Sequence, residues 1–179
     1  MKNILVPIAA SVKIESTLQY AIDFAKHFKA KVYVLGDYNV VSRAGSIINI
    51  NDILERETKA HINDIVAKVD TKNVEIATIS ARGNLVDVIE DIVKELKIDL
   101  VILESNSTIK SNVFLDTTSG SIIKRTEIPS LIIPSEYTFS APSSALLAFK
   151  SGILRRKKVL RPIRQIRDCL LYTSPSPRD

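Results

Sequence analysis

A single cysteine, Cys169, is present in 179 residues, so an intrachain disulfide and a multi-cysteine metal site are both excluded. No stretch approaches the roughly 18 consecutive apolar residues that a membrane-crossing helix needs. The opening run Met1–Lys2–Asn3–Ile4–Leu5–Val6–Pro7 meets a proline too early for a signal peptide. A soluble, cytoplasmic protein is therefore expected. The five glycines form no G-x-x-x-x-G-K-[ST] phosphate loop anywhere in the chain. Neither histidine, His27 or His61, has a second ligand at a chelating spacing, and no Ser–His–acid or Cys–His arrangement can be drawn from the spacings.

What is present divides unevenly. Residues 1–140 hold 16 Lys+Arg against 18 Asp+Glu, whereas residues 141–179 hold 9 against 2. The net charge of +5 thus belongs to the C-terminal segment. Arg155–Arg156–Lys157–Lys158 reads as a solvated loop and first helical turn. The other reading, contact with nucleic acid or an anionic membrane, lacks an aromatic platform or groove-reading motif beside the charges. With 45% apolar residues, the chain has enough for one well-packed domain and a remainder.

The hydrophobic pattern alternates strand and helix from the start. Lys2–Ile8 is a short apolar run suited to a buried strand. Leu18, Ala21, Ile22 and Ala25 repeat at i, i+3, i+4, i+7 and predict a helix from about Glu15 to Phe28. Lys31–Leu35 is the second strand, Gly36–Ile50 a long connection, and Asn51–Asp52 the start of a second helix with Ile62, Ile65, Val66 and Val69 inward. Val74–Ile79 alternates as a third strand. Gly83–Asn84 supplies a turn and cap for a third helix, striped by Leu85, Val88, Ile89, Ile92, Val93 and Leu96. Asp99–Leu103 is a fourth strand, apolar enough for burial on both faces. A Ser/Thr/Asn-rich segment, 105–121, leads through a short helix at about Thr117–Arg125 into a fifth strand, Ser130–Pro134.

Such alternation demands right-handed crossovers and a parallel sheet. The expected fold is α/β: a doubly wound, five-stranded parallel sheet of the Rossmann-like or flavodoxin-like kind. Ligands on these sheets bind beyond the carboxyl ends of the strands, where strand order reverses. That directs attention to Ile8–Ala9–Ala10–Ser11 and Glu104–Ser105–Asn106–Ser107. A dinucleotide fold would need G-x-G-x-x-G after the first strand, where Ala9–Ala10–Ser11–Val12–Lys13 stands. A phospho-receiver would need clustered acids there and an aspartate after the third strand, where Ser80–Ala81 stands. The flavodoxin phosphate loop is also missing, and the lack of carboxylates weighs against metal-assisted hydrolysis.

Residues 1–134 resemble the universal stress protein family. Lys2–Asn3–Ile4–Leu5–Val6–Pro7 is similar to its opening strand. Gly83, Val86, Ile89 and the run Lys94–Ile102 are similar to its third helix and fourth strand, and Lys124–Pro134 to its closing segment. The resemblance implies the family's doubly wound fold and a role in stress-response binding or signalling without catalysis. It also identifies where a nucleotide site would lie. The family's opening strand is usually followed by x-Asp-x-Ser; here the aspartate position is Ala9 and the serine is Ser11. The ATP-binding members carry G-x2-G-x9-G-[ST] after the fourth strand. Its first two glycines fall on Glu104 and Ser107, its third on Asp116 ahead of Thr117, with one residue too few between. An alternative register uses Gly120–Ser121 as the phosphate turn. Hydroxyls at Ser105, Ser107, Thr108, Ser111, Thr117 and Ser119 either bind an anion or make a polar surface loop with helix capping. No cofactor is therefore expected; ATP bound by a slow ATPase, its site completed by a second domain, is the alternative.

The tail reads as the start of that second domain. A shift of 141 residues lays Leu5–Val6 on Leu146–Leu147, Ile8 on Phe149 and Ile22 on Ile163. The expected division is a domain at 1–134, a linker at 135–144, a truncated second copy at 145–167, and an adapter-like, non-native tail at 168–179. Pairing through the last strand, Leu131–Ile133, implies a homodimer, or an intrachain second domain in a longer protein. No specific nucleic acid and no membrane is expected as a partner. Among single residues, Tyr33 is expected to pack, Arg82 to flank a helix or meet a phosphate, and both histidines to lie on exposed helix surface.

Overall fold

Five strands and four helices alternate in the computed structural model, which describes residues 1–8, 14–39, 47–105, 117–126, 128–134 and 136–142. They are β1 (Asn3–Ile8), α1 (Ile14–Phe28), β2 (Lys31–Tyr38), α2 (Ile47–Ala67), β3 (Ile76–Arg82), α3 (Leu85–Glu95), β4 (Leu100–Ser105), α4 (Thr117–Arg125) and β5 (Ser130–Pro134). All strands are parallel, in the order β3-β2-β1-β4-β5. The reversal falls between β1 and β4, as a doubly wound sheet requires.

Strand alternation assigns the faces. Leu5, Leu35, Val101 and Leu103 join Leu85, Val88, Ile89, Ile92 and Ile122 in one buried cluster beneath α3 and α4. The intervening residues Ile4, Val6, Val32, Val34 and Ile102 are fully buried on the other face, which α1 and α2 cover. β1 and β4 are thus packed from both sides and carry nearly unbroken apolar runs. Asn84 caps α3 by accepting from the Val86 backbone N–H at 3.0 Å, and Gly83 turns at φ 131° just ahead of it. At the opposite end, Asn3 Nδ2 donates to the Leu96 carbonyl at 2.8 Å, and Asp99 Oδ2 accepts from the Lys2 N–H at 2.7 Å. The first bond satisfies the carbonyl of Leu96 at the end of α3, and both tie the turn between α3 and β4 to the start of β1.

Two stretches differ from the sequence reading. β2 continues through Gly36, Asp37 and Tyr38 instead of ending at Leu35, and β3 is displaced toward Arg82. Seven register pairs, from Val32↔Ile76 to Tyr38↔Arg82, hold the two together. Gly36 does not break the strand here; it admits α2. A Cβ at that position would lie 2.9 Å from Thr58 Cγ2 and 3.0 Å from Ile62 Cδ1. Ile62 and Ile65 are buried on the inner face of α2, as their spacing predicted.

The second difference follows β5. The first compact unit spans Met1–Phe139, so it includes residues expected to be linker. Phe139 sets its ring against Tyr20 at 5.4 Å and Phe24 at 6.0 Å, and Phe24 stacks on Phe28 at 4.3 Å. Tyr137 lies 6.2 Å from Tyr20. The segment after β5 therefore closes over the outer side of α1 as an aromatic clasp. The second unit is Ser140–Asp179, of which residues 140–142 alone are described. The readings of 145–167 and 168–179 lie outside the described residues. Among the described residues, no helix is long and apolar enough to cross a membrane.

Candidate functional site

The carboxyl edge of the sheet is where five strand ends converge. The register pairs Ile8 of β1 with Gly36 of β2. On the other side, β1 pairs with β4 through Ile4↔Leu100 and Leu5↔Val101. Continuing that register puts Ile8 level with Glu104. Gly36, Ile8 and Glu104 thus make one row across three strands, and Asp37 and Ser105 begin the next row.

Glu104 alternates with Ile102, so it lies on the α1 and α2 side of β4, and it is only 9% exposed. Asp37 alternates with Leu35, so it lies on the α3 and α4 side of β2. It is half-buried, and burial raises its carboxyl pKa above the usual carboxylate range, against the opposing effect of a bond from its own backbone N–H. No ion pair joins Asp37 to another of the described residues. Arg82 is exposed at the end of β3 and is the basic residue among the described strand ends at this edge.

Of the residues singled out from the sequence, Glu104 and Ser105 end β4 at this edge. Ala9, Ser11 and Ser107 lie outside the described residues. Thr117 is the first residue of α4, and Gly120 and Ser121 lie within that helix. A Cβ at Gly120 would meet nothing within 4 Å. Gly120→Ala is accordingly expected to stabilise the protein by about 0.5–1 kcal/mol, read from urea denaturation, because the change removes unfolded-state freedom without a clash. The other end of α4 is firmly held. Thr126 Oγ1 donates to the Ile122 carbonyl at 2.6 Å, and Arg125 reaches Asp87 at 2.6 Å and Glu90 at 3.3 Å on α3.

The remaining candidates do not converge on this edge. His27 and His61 are both exposed; His27 stands edge-on to Phe28 and near Phe139 instead of facing a cleft. Tyr33 packs against the α3 cluster, with Lys31 Nζ 5.1 Å from its ring centre. No group of three His, Cys, Asp or Glu side chains suited to a metal ion occurs among the described residues. Asp37 lies beyond the second strand that the sequence predicts, because a lone glycine such as Gly36 signals a turn. The signal was there: Tyr33, Leu35 and Asp37 continue one period-2 face.

The strand order, reversing between β1 and β4, defines a doubly wound α/β fold. Residues 1–134 match the sequence profile of the universal stress protein family, and the chain belongs to that family. Solved structures agree in fold. A universal stress family protein from Burkholderia pseudomallei superposes with a TM-score of 0.58 at 17% identity, covering 74% of this chain and 96% of that one. The protein UspA from Lactobacillus plantarum gives 0.54 at 19% identity, covering 74% and 97%. A universal stress protein from Archaeoglobus fulgidus, solved in complex with dAMP, gives 0.51 at 16% identity, covering 74% and 97%. No curated protein matches the sequence.

Proposed function

We propose that this domain is a non-catalytic stress-response binding and signalling module whose nucleotide site has lost its phosphate-binding half. The observation that carries the reading is Glu104. A phosphate loop works by letting backbone N–H groups approach the anion, which favours glycine and tolerates no carboxylate at close range. Here Glu104, the last residue but one of β4, stands at the position of the loop's first glycine, and the aspartate position after β1 is Ala9. A universal stress protein from Archaeoglobus fulgidus was solved in complex with dAMP, a nucleoside monophosphate, which supports a nucleotide site in that relative. The module acts in the cytoplasm and transmits its state through pairing, with a second copy or with a second domain of a longer chain.

Titration calorimetry of the whole chain with Mg-ATP tests this. The expected dissociation constant is weaker than about 1 mM, a binding free energy smaller than about 4 kcal/mol. Submicromolar affinity, abolished by a change at Thr117 or Gly120, would replace this reading with that of an ATP-binding, slowly hydrolysing member.

A further inference from the structure

We propose that the aromatic row on the outer side of α1 is a docking surface for a second copy of this chain. Each copy seats its own Tyr137–Phe139 clasp on the α1 of the other, in exchange for the resident one. This exchange rests on the pairing proposed above and gives that pairing a surface.

Tyr20, Phe24 and Phe28 recur every fourth residue, so their rings form one stripe along α1. All three are buried, and the clasp supplies part of the cover. Phe139 stands edge-on to Tyr20 at 5.4 Å and to Phe24 at 6.0 Å, and lies 5.9 Å from His27. It is the anchor of the contact, and Tyr137, 6.2 Å from Tyr20 and 51% exposed, forms the rim. A stripe of rings left uncovered is an apolar patch, so this surface demands an occupant. The resident clasp is lightly fastened. Residues 137–139 belong to no strand and no helix. The chain turns back through a bond from the Tyr137 N–H to the Pro134 carbonyl at 3.2 Å. Glu136, the third residue of that turn, is held at φ 65°. Glycine or asparagine ordinarily takes such a position, because a Cβ in the left-handed region crowds the backbone. Closing the clasp on its own α1 therefore strains the hinge, and opening it relieves the strain.

These features select the occupant. A foreign aromatic segment would compete with a tethered clasp, whose effective concentration is on the order of 1 mM. A second copy meets no such handicap. Each copy gives up one clasp and receives one with the same rings, so the ring contacts are conserved. Two strained hinges are released at the same time, which offsets part of the freedom lost on association. Short hinges under strain favour exchange of this kind. β5 is an edge strand, so a hinge opened after Pro134 carries Tyr137 and Phe139 past the end of the sheet and away from their own α1.

Size-exclusion chromatography with light scattering tests this on the whole chain, at concentrations up to about 1 mM. The dimer fraction is expected to rise across that range. Glu136→Gly removes the strain from the closed turn and is expected to weaken the dimer by about tenfold or more. Glu136→Pro fixes φ at about −65°, forbids the closed turn and is expected to strengthen the dimer. Glu136 is exposed, so neither change touches the core. The parent protein supplies the direct readout. In an equal mixture of carbon-13-labelled and unlabelled chains, isotope-filtered NOEs are expected from the Phe139 ring of one copy to Tyr20 or Phe24 of the other. A dimer that lacks those contacts, or that Glu136→Gly leaves unmoved, overturns the exchange and leaves pairing through another surface standing. A monomer at every concentration overturns the exchange and the pairing with a second copy together.

Discussion

Replacing Phe24 with alanine is expected to remove about 3–5 kcal/mol of stability, the range for a buried phenylalanine whose cavity cannot fully collapse. Phe24 is 2% exposed and lies at the centre of the aromatic group on α1. It stacks on Phe28 at 4.3 Å and meets Phe139 edge-on at 6.0 Å, with Tyr20 at 6.4 Å on its remaining side. Domains of this size are commonly stable by about 5–15 kcal/mol, so the variant should sit near the edge of folding at ambient temperature. Urea denaturation with a fitted midpoint and slope is the measurement. Phe139→Ala should cost less, about 1–2 kcal/mol, because that ring is half-buried. The double variant distinguishes contact from mere burial. If the clasp is a real ring-to-ring interaction, the two losses should fall short of additivity by about 0.5–1.5 kcal/mol. Strict additivity would mean that Phe139 only shields α1 from water.

The second large effect is expected at Gly36. Gly36→Val should cost about 1–3 kcal/mol, the usual penalty for forcing bulk into a packed interface. The added Cβ alone would come within 2.9 Å of Thr58 Cγ2, and Thr58 can move that methyl only by turning about χ1. Gly36→Ala should therefore also destabilise, although glycine-to-alanine changes in strands ordinarily help. Thr58→Ser deletes the offending methyl. Placed in the Gly36→Ala background, it should return a measurable part of the lost melting temperature. If Thr58→Ser returns nothing, α2 is displaced as a body and Thr58 is not the point of contact.

The parts of the fold that were legible in sequence are those whose burial is one-dimensional. α3 announces itself because Leu85, Val88, Ile89 and Ile92 all face one cluster, and a turn residue and a cap precede them. β4 was legible because a strand covered on both faces carries an unbroken apolar run, and β5 because the run Leu131–Ile133 stops at Pro134. β2 was misjudged at its end because glycine signals a turn when seen alone, whereas its use here is to let a neighbouring helix approach. The start of α2 at Ile47 was missed for a related reason: Ile50 and Ile53, in its early turns, are exposed and do not mark a buried face. Nothing local could have revealed the clasp, since Tyr20 and Phe139 are brought together only by completion of the sheet. For the candidate site, topology points to the ends of β1 and β4, and Asp37 lies in the part of β2 beyond Leu35, where the sequence reading ended the strand.

The clasp also bears on how this protein should be handled. A chain cut after Pro134 keeps every strand and helix of the sheet, yet it leaves Tyr20 and Phe24 without the ring that covers them. Such a fragment would be expected to show native far-ultraviolet circular dichroism and still precipitate on concentration, because folding and solubility would have been separated. Expression trials that extend through Phe139 should escape that trap.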